Sequence, residues 1–394
     1  MMTLPPRRIL LNPGPATTSD TVKQALLISD VCPRDPEFTA LLAEVLRRIA
    51  AIVGDPAAYV AVPFPGSGTT AVEAALGSVV PPDGDLLIID NGDYGARMAA
   101  IARALAIPHR VVAPGWGRPV DLDEVERALH ASPAAGGYLA FAHHETSTGM
   151  LNPLEALAAL ARRRGVGVIV DAMSSLGGIP IDADAAGIDY LVSSANKCIQ
   201  GMAGLSFVIA SRRALEGLRG VPARSYSLDL RAQQESLERS GQTRFTTPPQ
   251  VVSALRQALL ELEAETVEGR RRRYDRCYAA LVEGVRALGF EPLLPPEQES
   301  RILVALREPE AHWWAFEPTR AALAARGFTI YPGTSRAIPT FRLSVLGDLE
   351  VDDIHAFVDA FAEQLRATGH PGAAVLYEGR RDGPSELSRP ISRP

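Results

Sequence analysis

The sequence predicts an α/β protein whose mostly parallel sheet is covered by helices on both faces and is followed by a smaller α+β domain. Short and almost wholly apolar runs alternate with helical patterns through residues 58–210. Strands without a polar face are typical of parallel sheets that lie between two layers of helices. Ligands bind such sheets beyond the carboxyl ends of their strands. The polar residues that follow each apolar run are therefore the first candidates for a functional site.

Composition and charge exclude several classes of protein. The 394 residues carry 40 basic and 46 acidic side chains, which gives a net charge of −6, whereas nucleic-acid-binding domains carry clustered positive charge. No apolar run is long enough to span a bilayer. Three widely spaced cysteines, Cys32, Cys198 and Cys277, show neither metal-ligand spacing nor a disulfide framework. We therefore expect a cytoplasmic protein that binds no nucleic acid, no membrane and no metal.

The large domain is predicted to cover residues 16–270, after an N-terminal segment, residues 1–15, that packs near the site. A Thr-Thr-Ser cap predicts a helix that begins near Asp20, and a longer helical pattern follows over residues 37–53. The predicted strands are residues 58–64, 86–90, 109–113, 137–142, 167–171, 188–192 and 205–210. The predicted helices between them include residues 96–105, 122–130 and 154–164.

The rest of the chain predicts a long connection, a small domain and a tail. A helical pattern over residues 249–288 carries blocks of glutamate and arginine, which we interpret as a solvated face without a chemical role. The small domain is predicted to cover residues 271–369. Its predicted strands are residues 301–306, 327–331 and 340–345, and its predicted helices are residues 318–326 and 351–367. Residues 370–394, rich in Pro, Gly, Ser and Arg, predict a disordered tail.

A glycine-containing turn follows the first predicted strand of the sheet. Ser67, Gly68 and Thr69 lie between residues 58–64 and a helical pattern. The free N–H groups and the positive dipole of a helix N-terminus bind anions, and glycines let the backbone approach them. The same pattern also fits an ordinary loop capped by serine or threonine. It matches neither a P-loop, which needs Gly-Lys-Ser/Thr, nor a dinucleotide fingerprint, which needs a third glycine.

Lys197 and Asp171 each follow a predicted strand. Lysines are scarce in this chain, and Lys197 lies among small and amide residues, where a partly desolvated amine would be a nucleophile. Each residue has an ordinary alternative, a solvated surface lysine or a strand-end acid with a local partner. Together with the anion-binding turn, however, they serve one cofactor, pyridoxal 5′-phosphate. The lysine would hold its aldehyde, the carboxylate its ring nitrogen and the turn its phosphate.

Several segments of the chain carry a resemblance to one family. They are residues 11–15, 66–69, 91–98, 144–153, 171–175, 193–201, 227–230, 244–248 and 341–342. These segments resemble the class V aminotransferases of fold type I, in the alanine–glyoxylate aminotransferase branch, and the resemblance extends from about residue 10 to residue 367. Residues 193–201 resemble those members that act on aminophosphonates. The resemblance implies a seven-stranded sheet in the large domain, pyridoxal phosphate as cofactor and transamination as activity.

The resemblance also implies a role for each cofactor residue. Lys197 is the implied Schiff-base lysine and proton shuttle, Asp171 pairs with the pyridine nitrogen, and Tyr94 stacks on the cofactor ring. The other implied cofactor contacts are Ser67, Gly68 and Thr69 at the phosphate, Thr148 on the side of the 3-hydroxyl group, and Asn196.

Further implied roles concern the substrate and a second subunit. Arg342 is the implied anchor for the anionic group of the substrate, and Gly14 is an implied substrate contact. Thr246 or Thr247 would complete the phosphate site from the partner subunit. The resemblance therefore implies a homodimer with its active sites at the subunit interface.

The implied reaction transfers the amino group of 2-aminoethylphosphonate to pyruvate, giving phosphonoacetaldehyde and L-alanine. The alternatives are a serine– or alanine–glyoxylate aminotransferase of the same branch, a cysteine desulfurase, and a non-catalytic protein that keeps the fold. Residues 31–38, Tyr226 and residues 313–314 depart from the aminophosphonate pattern, which leaves the amino donor open. His143 and His144 are interpreted as structural, because transamination already has its base in the released lysine.

Overall fold

A computed structural model of the protein describes residues 6–131, 137–335 and 338–371. The strands of these residues are β1 (Ile9–Leu10), β2 (Tyr59–Gly66), β3 (Leu86–Ile89), β4 (His109–Val112), β5 (Tyr138–Ala142), β6 (His144–Glu145), β7 (Met150–Leu151), β8 (Gly167–Asp171), β9 (Tyr190–Ser194), β10 (Gly204–Ser211), β11 (Leu303–Arg307), β12 (Phe328–Thr329), β13 (Tyr331–Pro332) and β14 (Thr340–Ser344). The helices are α1 (Asp20–Gln24), α2 (Pro36–Ala51), α3 (Gly68–Val79), α4 (Asp93–Ala104), α5 (Leu122–His130), α6 (Leu154–Arg163), α7 (Ala183–Ala186), α8 (Arg212–Gly217), α9 (Leu230–Ser240), α10 (Pro249–Glu265), α11 (Val267–Ala287), α12 (Phe316–Ala325) and α13 (Val351–Ala367), with a 3₁₀ turn at Pro296–Gln298.

The large domain is built on a seven-stranded sheet with the order β2-β10-β9-β8-β5-β3-β4. Strand β10 is antiparallel to both of its neighbours, and the remaining pairs are parallel. The predicted mostly parallel sheet is thereby confirmed. Because six strands share one direction, the carboxyl ends of β2, β3, β5, β8 and β9 meet at the same edge of the sheet.

Both faces of this sheet are buried, as the apolar runs predict. Along β5, Leu139 and Phe141 pack into a cluster with α2, α5, α6 and α10. Ala140 and Ala142 point to the other face, where they join a cluster with α3 and α4. Successive side chains of a strand alternate between faces, so a strand covered by helices on both sides must be apolar throughout. The sheet is therefore a rigid support for the loops at its carboxyl edge.

The small domain packs a second, separate core. Strand β14 lies between β11 and β13 in an antiparallel sheet. Phe341 of β14 contacts the rings of Trp314 and Phe290 with centroids 5.0 and 5.4 Å apart, and Trp314 is 9% exposed. Trp314 is thus a packing residue of this core. The N-terminal strand β1 also joins this side of the molecule, because it pairs in parallel with β12.

The helical pattern over residues 249–288 forms two helices rather than one. Thr266 separates α10 from α11 with a φ angle of 65°, in the left-handed region that interrupts a right-handed helix. The prediction that its charge blocks are a solvated face is wrong for two arginines. Arg270 and Arg273 are only 1% and 7% exposed, because the break turns them toward Glu265.

Two sequence-based predictions concern the ends of the domains. The boundaries at residues 15, 270 and 369 stay sequence-based predictions. The predicted disordered tail lies outside the described residues, apart from residues 370 and 371. Within the described part of the chain, none of the helices has both the length and the apolar character needed to cross a membrane.

Candidate active site

The carboxyl edge of the large sheet borders a cavity of about 200 Å³. Its walls come from the ends of β2, β8 and β9, the first turns of α3 and α4, and the start of β10. The lining residues are Ser67, Gly68, Thr69, Val72, Tyr94, Arg97, Met98, Asp171, Met173, Ser194, Asn196, Lys197, Ala203 and Gly204. The structure therefore brings together seven of the residues that the sequence predicts for a cofactor site.

One wall of the cavity is the N-terminus of α3. Ser67 is the N-cap residue, and its side chain makes no capping hydrogen bond. A Cβ atom at Gly68 would lie 2.3 Å from the sulfur of Met173, so any larger residue there would displace the methionine. The first-turn N–H groups of a helix and its dipole favour a negative charge at this end. This wall is therefore suited to a phosphate group.

Lys197 lies in the turn between β9 and β10. Its Nζ atom donates a hydrogen bond to the carbonyl oxygen of Pro13 at 2.6 Å, and no carboxylate among the described residues forms an ion pair with it. Burial lowers the pKa of Lys197 to about 8, against the opposing charges of Cys198 and Asp171. The unprotonated, nucleophilic form of this amine is therefore far more populated near neutral pH than in an ordinary lysine.

Gly14 lies directly against the lysine. A Cβ atom at this position would be 2.2 Å from Nζ of Lys197, and the φ angle of Gly14 is 123°. Both the conformation and the space favour glycine. Any side chain here would displace the amine of Lys197, so this position requires glycine. Gly14 is not among the residues that line the cavity.

Asp171 ends β8 on the floor of the cavity. Its Oδ1 atom accepts the N–H of Met173 at 2.9 Å. Burial raises the pKa of this carboxyl to about 6, although that hydrogen bond and the charges of Arg97 and Lys197 lower it. Because burial disfavours its charged form, this carboxylate would be stabilised by any cationic N–H group that enters the cavity.

Tyr94 lies in the first turn of α4 and lines the cavity together with Arg97. The guanidinium carbon of Arg97 lies 4.8 Å from the centre of the Tyr94 ring. The completely buried Glu145 accepts the N–H groups of Tyr94 and Gly95 at 3.0 and 3.4 Å. Burial raises the pKa of Glu145 to about 7, while the hydrogen bonds from Ser147, Tyr94 and Gly95 lower it. Glu145 thus fixes the start of α4 and with it the tyrosine ring.

Arg342 lies on β14 of the small domain and is 3% exposed. Its guanidinium donates to the carbonyl oxygens of Pro332 and Thr146 at 3.0 and 3.1 Å, and it lies 5.1 Å from the ring centre of Tyr331. Among the described residues, no carboxylate forms a salt bridge with it. Burial lowers the pKa of Arg342, and the neighbouring Tyr94 and Asp93 raise it. A buried cation with only neutral partners is suited to an anionic ligand.

The other predicted site residues lie in different surroundings. Asn196 lines the cavity, and its side chain accepts the hydroxyl of Ser194 at 2.8 Å. Thr148 is buried outside the cavity lining and donates to the carbonyl oxygen of Glu145 at 3.2 Å. Thr247 is also buried and bonds to the Thr243 hydroxyl at 2.9 Å.

Thr246 is exposed and does not reach the cavity of its own chain. It follows Phe245, which is 41% exposed and lies 6.0 Å from the ring of Tyr226, itself 81% exposed. The guanidinium of Arg244 lies about 5 Å from both rings. Exposed aromatic and arginine side chains are typical of protein interfaces.

Sequence reasoning missed Arg97, Glu145 and Met173. Arg97 lies three residues after Tyr94, a spacing that places both side chains on one face of a helix. This spacing is the sequence signal that could have indicated Arg97. Glu145 lies within residues 144–153, which carry the family resemblance, but an acid is seldom fully buried, and only the folded chain shows its capping contacts. The contact between Met173 and Gly68 joins the start of α3 to the segment after β8. These segments are distant in sequence, so no local pattern predicts the contact.

His143 and His144 lie beside the site without entering it. Their Nδ1 atoms bond to the Ser175 hydroxyl and to the Ser174 carbonyl oxygen, each at 3.0 Å. Burial lowers the pKa of His143 to about 3 and that of His144 to about 4. Neutral rings that hold the segment after β8 agree with a structural role.

Comparisons with known proteins agree with this geometry. Residues 22–344 match the family model described as "Aminotransferase class-V". The chain is 45% identical over 360 residues to a protein named 2-aminoethylphosphonate–pyruvate transaminase from Vibrio vulnificus (strain CMCP6), covering 91% of this chain and 97% of that protein. It is 44% identical over 364 residues to one of the same name from Syntrophobacter fumaroxidans (strain DSM 10017 / MPOB), with 92% and 97% covered.

Solved structures share the fold. An alanine–glyoxylate aminotransferase from Nostoc sp. superimposes with a TM-score of 0.84 at 27% identity, covering 92% of this chain and 97% of that one. A pyridoxamine–pyruvate aminotransferase from Mesorhizobium loti gives a TM-score of 0.82 at 22% identity, with 95% and 98% covered.

The chain belongs to the class V aminotransferases. Within that family it is similar, over nine-tenths of its length, to proteins named 2-aminoethylphosphonate–pyruvate transaminase. Class V aminotransferases use pyridoxal 5′-phosphate, and the site fits this cofactor. An uncapped helix N-terminus, a buried amine and a buried carboxylate all border one cavity, which matches the phosphate, the aldehyde and the ring nitrogen of the cofactor.

Proposed function

We propose that the protein transfers the amino group of 2-aminoethylphosphonate to pyruvate, giving phosphonoacetaldehyde and L-alanine. Two relatives with this activity in their names are 45% and 44% identical to the chain over almost its whole length. The proposal rests on two buried groups: Lys197, an amine with a pKa of about 8, and Arg342, whose charge lies near enough to lower that pKa and which has no carboxylate partner among the described residues. The first would hold the cofactor, and the second would bind the anionic group of the substrate.

The cofactor is proposed to lie in the cavity between α3 and Lys197. When bound, pyridoxal phosphate supplies an aldehyde for the amino group and a ring that stabilises negative charge on the neighbouring carbon. Ser67, Gly68 and Thr69 would bind its phosphate at the N-terminus of α3. Asp171 would hold a proton on the ring nitrogen, because its buried carboxylate gains a cationic partner. Tyr94 would stack against the ring.

Lys197 is proposed to act twice. With the cofactor bound, its unprotonated Nζ atom would hold the cofactor through the aldehyde. Once displaced by the substrate amine, the same nitrogen would accept a proton from the amino-bearing carbon of the substrate and act as the proton carrier. The carbonyl oxygen of Pro13 orients the amine at 2.6 Å without neutralising it, because a carbonyl is an uncharged acceptor. Asn196, beside the lysine, is a proposed cofactor contact, and so is Thr148.

Arg342 is proposed to bind the anionic group of both substrates. Its planar fork matches a phosphonate in one half-reaction and a carboxylate in the other. In Arg342→Lys the second N–H donor of the fork is lost, so we expect KM for both substrates to rise by about 10- to 100-fold, with a smaller change in kcat. Arg307→Lys, an exposed arginine on the neighbouring β11, is the matched control. An Arg342→Lys protein with both KM values unchanged would contradict this role.

A homodimer completes the proposal. The exposed Tyr226 and Phe245 and the half-buried Arg244 beside Thr246 support a subunit interface at this surface. Of the two predicted threonines, Thr246 is the one with an exposed side chain, whereas the hydroxyl of Thr247 already bonds to Thr243. Thr246 would therefore reach the phosphate of the partner subunit. A cytoplasmic location is also part of the proposal, and the three cysteines are free.

The test is an assay of the purified protein loaded with pyridoxal phosphate. Alanine formation from pyruvate is measured with 2-aminoethylphosphonate as donor, and parallel reactions offer serine or alanine as donor and glyoxylate as acceptor. We expect the highest kcat/KM for 2-aminoethylphosphonate with pyruvate. A higher kcat/KM for serine or alanine with glyoxylate would overturn the substrate assignment and leave an aminotransferase of the alanine–glyoxylate type.

A further inference from the structure

A second cluster of charge, in which two buried arginines share the partly exposed Glu265, lies behind the turn that carries Lys197. Glu265, the last residue of α10, accepts the Nε–H groups of Arg270 and Arg273 at 2.7 and 2.6 Å. A further N–H of Arg273 bonds to the same carboxylate at 3.0 Å. The left-handed Thr266 between the two helices lets α11 turn back, so that both arginines meet one carboxylate. The proposed reaction uses none of these three residues.

Arg270 connects this cluster to the lysine turn. Its Nη1 atom donates to the carbonyl oxygen of Cys198 at 2.7 Å and to that of Ile199 at 3.4 Å. Cys198 is the residue after Lys197, and all three of these contacting residues are at most 1% exposed. A buried carbonyl left without a donor costs about 1–3 kcal/mol. Arg270 therefore stabilises the one conformation of the turn that gives both carbonyls a donor.

Two other carbonyls of the turn have backbone partners. The oxygen of Asn196 accepts the N–H of Ala16 at 3.0 Å, and the oxygen of Lys197 accepts the N–H of Gln200 at 2.8 Å. Gln200 has a φ angle of 67°, which costs energy in a residue with a side chain. A turn that contains such a residue keeps its shape only when its surroundings hold it there. The side-chain contacts of Arg270 are part of that support.

Arg273 extends the cluster to the small domain. It donates to the carbonyl oxygens of Gly347 and Leu349 at 2.9 and 2.8 Å, in the segment that follows β14 and Arg342. A second route is parallel to it: the side chain of Gln200 donates to the hydroxyl oxygen of Tyr274 at 2.8 Å, and the N–H of Gly347 donates to the same oxygen at 3.3 Å. The lysine turn and the strand of Arg342 are thus tied to the same start of α11.

We propose that Arg270 is a positioning residue for Lys197, held in place by Glu265, and that the cluster fixes the lysine turn relative to the strand of Arg342. The inference rests on the proposed roles of Lys197 and Arg342. A substrate with an amine at one end and an anion at the other needs both groups of the protein at a set separation. Misplacement of a reacting group by about 1 Å can lower a rate by about 100-fold.

The test compares Arg270→Met, Arg270→Lys and Glu265→Gln with the control Arg272→Met. Arg272 is an exposed neighbour on the same helix. Two quantities are measured: hydrogen–deuterium exchange of the amides of residues 196–201, with and without cofactor, and the separate kcat and KM values of the loaded enzyme. We expect exchange in this turn to rise about tenfold in Arg270→Met and in Glu265→Gln.

In the same two variants we expect kcat to fall by about 10- to 100-fold with little change in KM. Arg270→Lys, which keeps one donor, should recover part of both effects. If Arg270→Met does not fold, Arg270→Lys and Glu265→Gln decide the result. Exchange and kcat equal to those of Arg272→Met would overturn the proposal. So would a lower melting temperature with unchanged kcat, because that is the result of a purely structural role.

The exchange measurement also separates this inference from the proposed function. If the wild-type protein prefers a donor other than 2-aminoethylphosphonate, the substrate assignment fails. The loosened turn in the Arg270 variants would still support the positioning role, because amide exchange requires no substrate.

Discussion

The charged groups of the active-site cavity and those of the Glu265 cluster differ in the net effect of their surroundings on pKa. In the cavity, burial lowers the pKa of Lys197 to about 8 and raises that of Asp171 to about 6, so both groups move toward their neutral forms. In the cluster around Glu265, burial opposes charge as well, but the hydrogen bonds from Arg273 and Arg270 outweigh it and lower the pKa of Glu265. The pKa of Arg273 is raised for the same reason.

The charged groups of the two clusters differ in their hydrogen-bond partners. Glu265 accepts from two guanidinium groups within 3.0 Å, whereas, within the part of the chain that the structure describes, Lys197 bonds to one carbonyl oxygen and Asp171 to one backbone N–H. Buried charges that are paired stabilise a conformation, and buried charges that lack partners are typical of sites that bind or react. The cavity is therefore the place where a ligand supplies the missing partners, and the Glu265 cluster is a fixed support.

The largest expected effect is on catalysis. Lys197→Ala should lower turnover by at least about 10⁴-fold, because it removes both the nucleophile and the proton carrier. The melting temperature of the cofactor-free protein should stay the same or rise, since the variant loses a buried cation that pairs with no carboxylate of the described residues. Initial rates of alanine formation and thermal unfolding check the two halves of this prediction.

Lys23→Arg is the control, because Lys23 pairs with Asp20 at 2.9 Å near the surface and takes no part in the site. It should keep wild-type turnover. A Lys197→Ala protein with substantial turnover would contradict the contrast between the two clusters, and so would one whose melting temperature falls steeply.

The next largest effect is on stability. Glu265→Ala leaves two buried arginines without their carboxylate, and breaking a buried ion pair from one side costs about 3–5 kcal/mol. Glu268→Ala, a few residues further along and exposed, should cost less than about 0.5 kcal/mol. Urea unfolding of both variants measures the difference. Equal free energies of unfolding would show that the Glu265 cluster is not a support.

Much of the site, but little of this support, can be predicted from sequence. Lys197, Asp171 and residues 67–69 follow strands of a parallel sheet, and topology alone brings such positions to one edge. Arg270 and Glu265 lie in a charged helical pattern that predicts a solvated face. The burial of Arg270 and Arg273 depends instead on the left-handed Thr266 and on contacts with residues 198 and 347. Local periodicity contains no signal for such long-range contacts.

The smallest expected effect is a change in the pH dependence of stability. The folded pKa of Asp171, about 6, lies above its ordinary value of 3.8. Between these values the folded protein holds a proton that the unfolded chain has lost, so the contribution of Asp171 to stability falls as pH rises from about 4 to 6. In Asp171→Asn that loss is absent, and the cofactor-free variant should be more stable at pH 7 by about 1–3 kcal/mol.

The gain should vanish below about pH 4, where both states of the wild-type residue are protonated. Unfolding titrations of the cofactor-free proteins between pH 4 and pH 8 give the measurement. A free energy of unfolding for Asp171→Asn below that of the wild type at pH 7 would contradict the claim that the buried Asp171 carboxylate lacks a stabilising partner.

The most direct test concerns Lys197 itself. The chain contains two lysines, Lys23 and Lys197, so Lys23→Arg leaves Lys197 as the only lysine side chain. This variant is loaded with pyridoxal phosphate, reduced with sodium borohydride and digested, and the peptides are weighed by mass spectrometry. We expect one cofactor fixed to the peptide that contains Lys197. A cofactor found only at the amino terminus, or none fixed at all, would contradict the assignment of Lys197 as the residue that holds it.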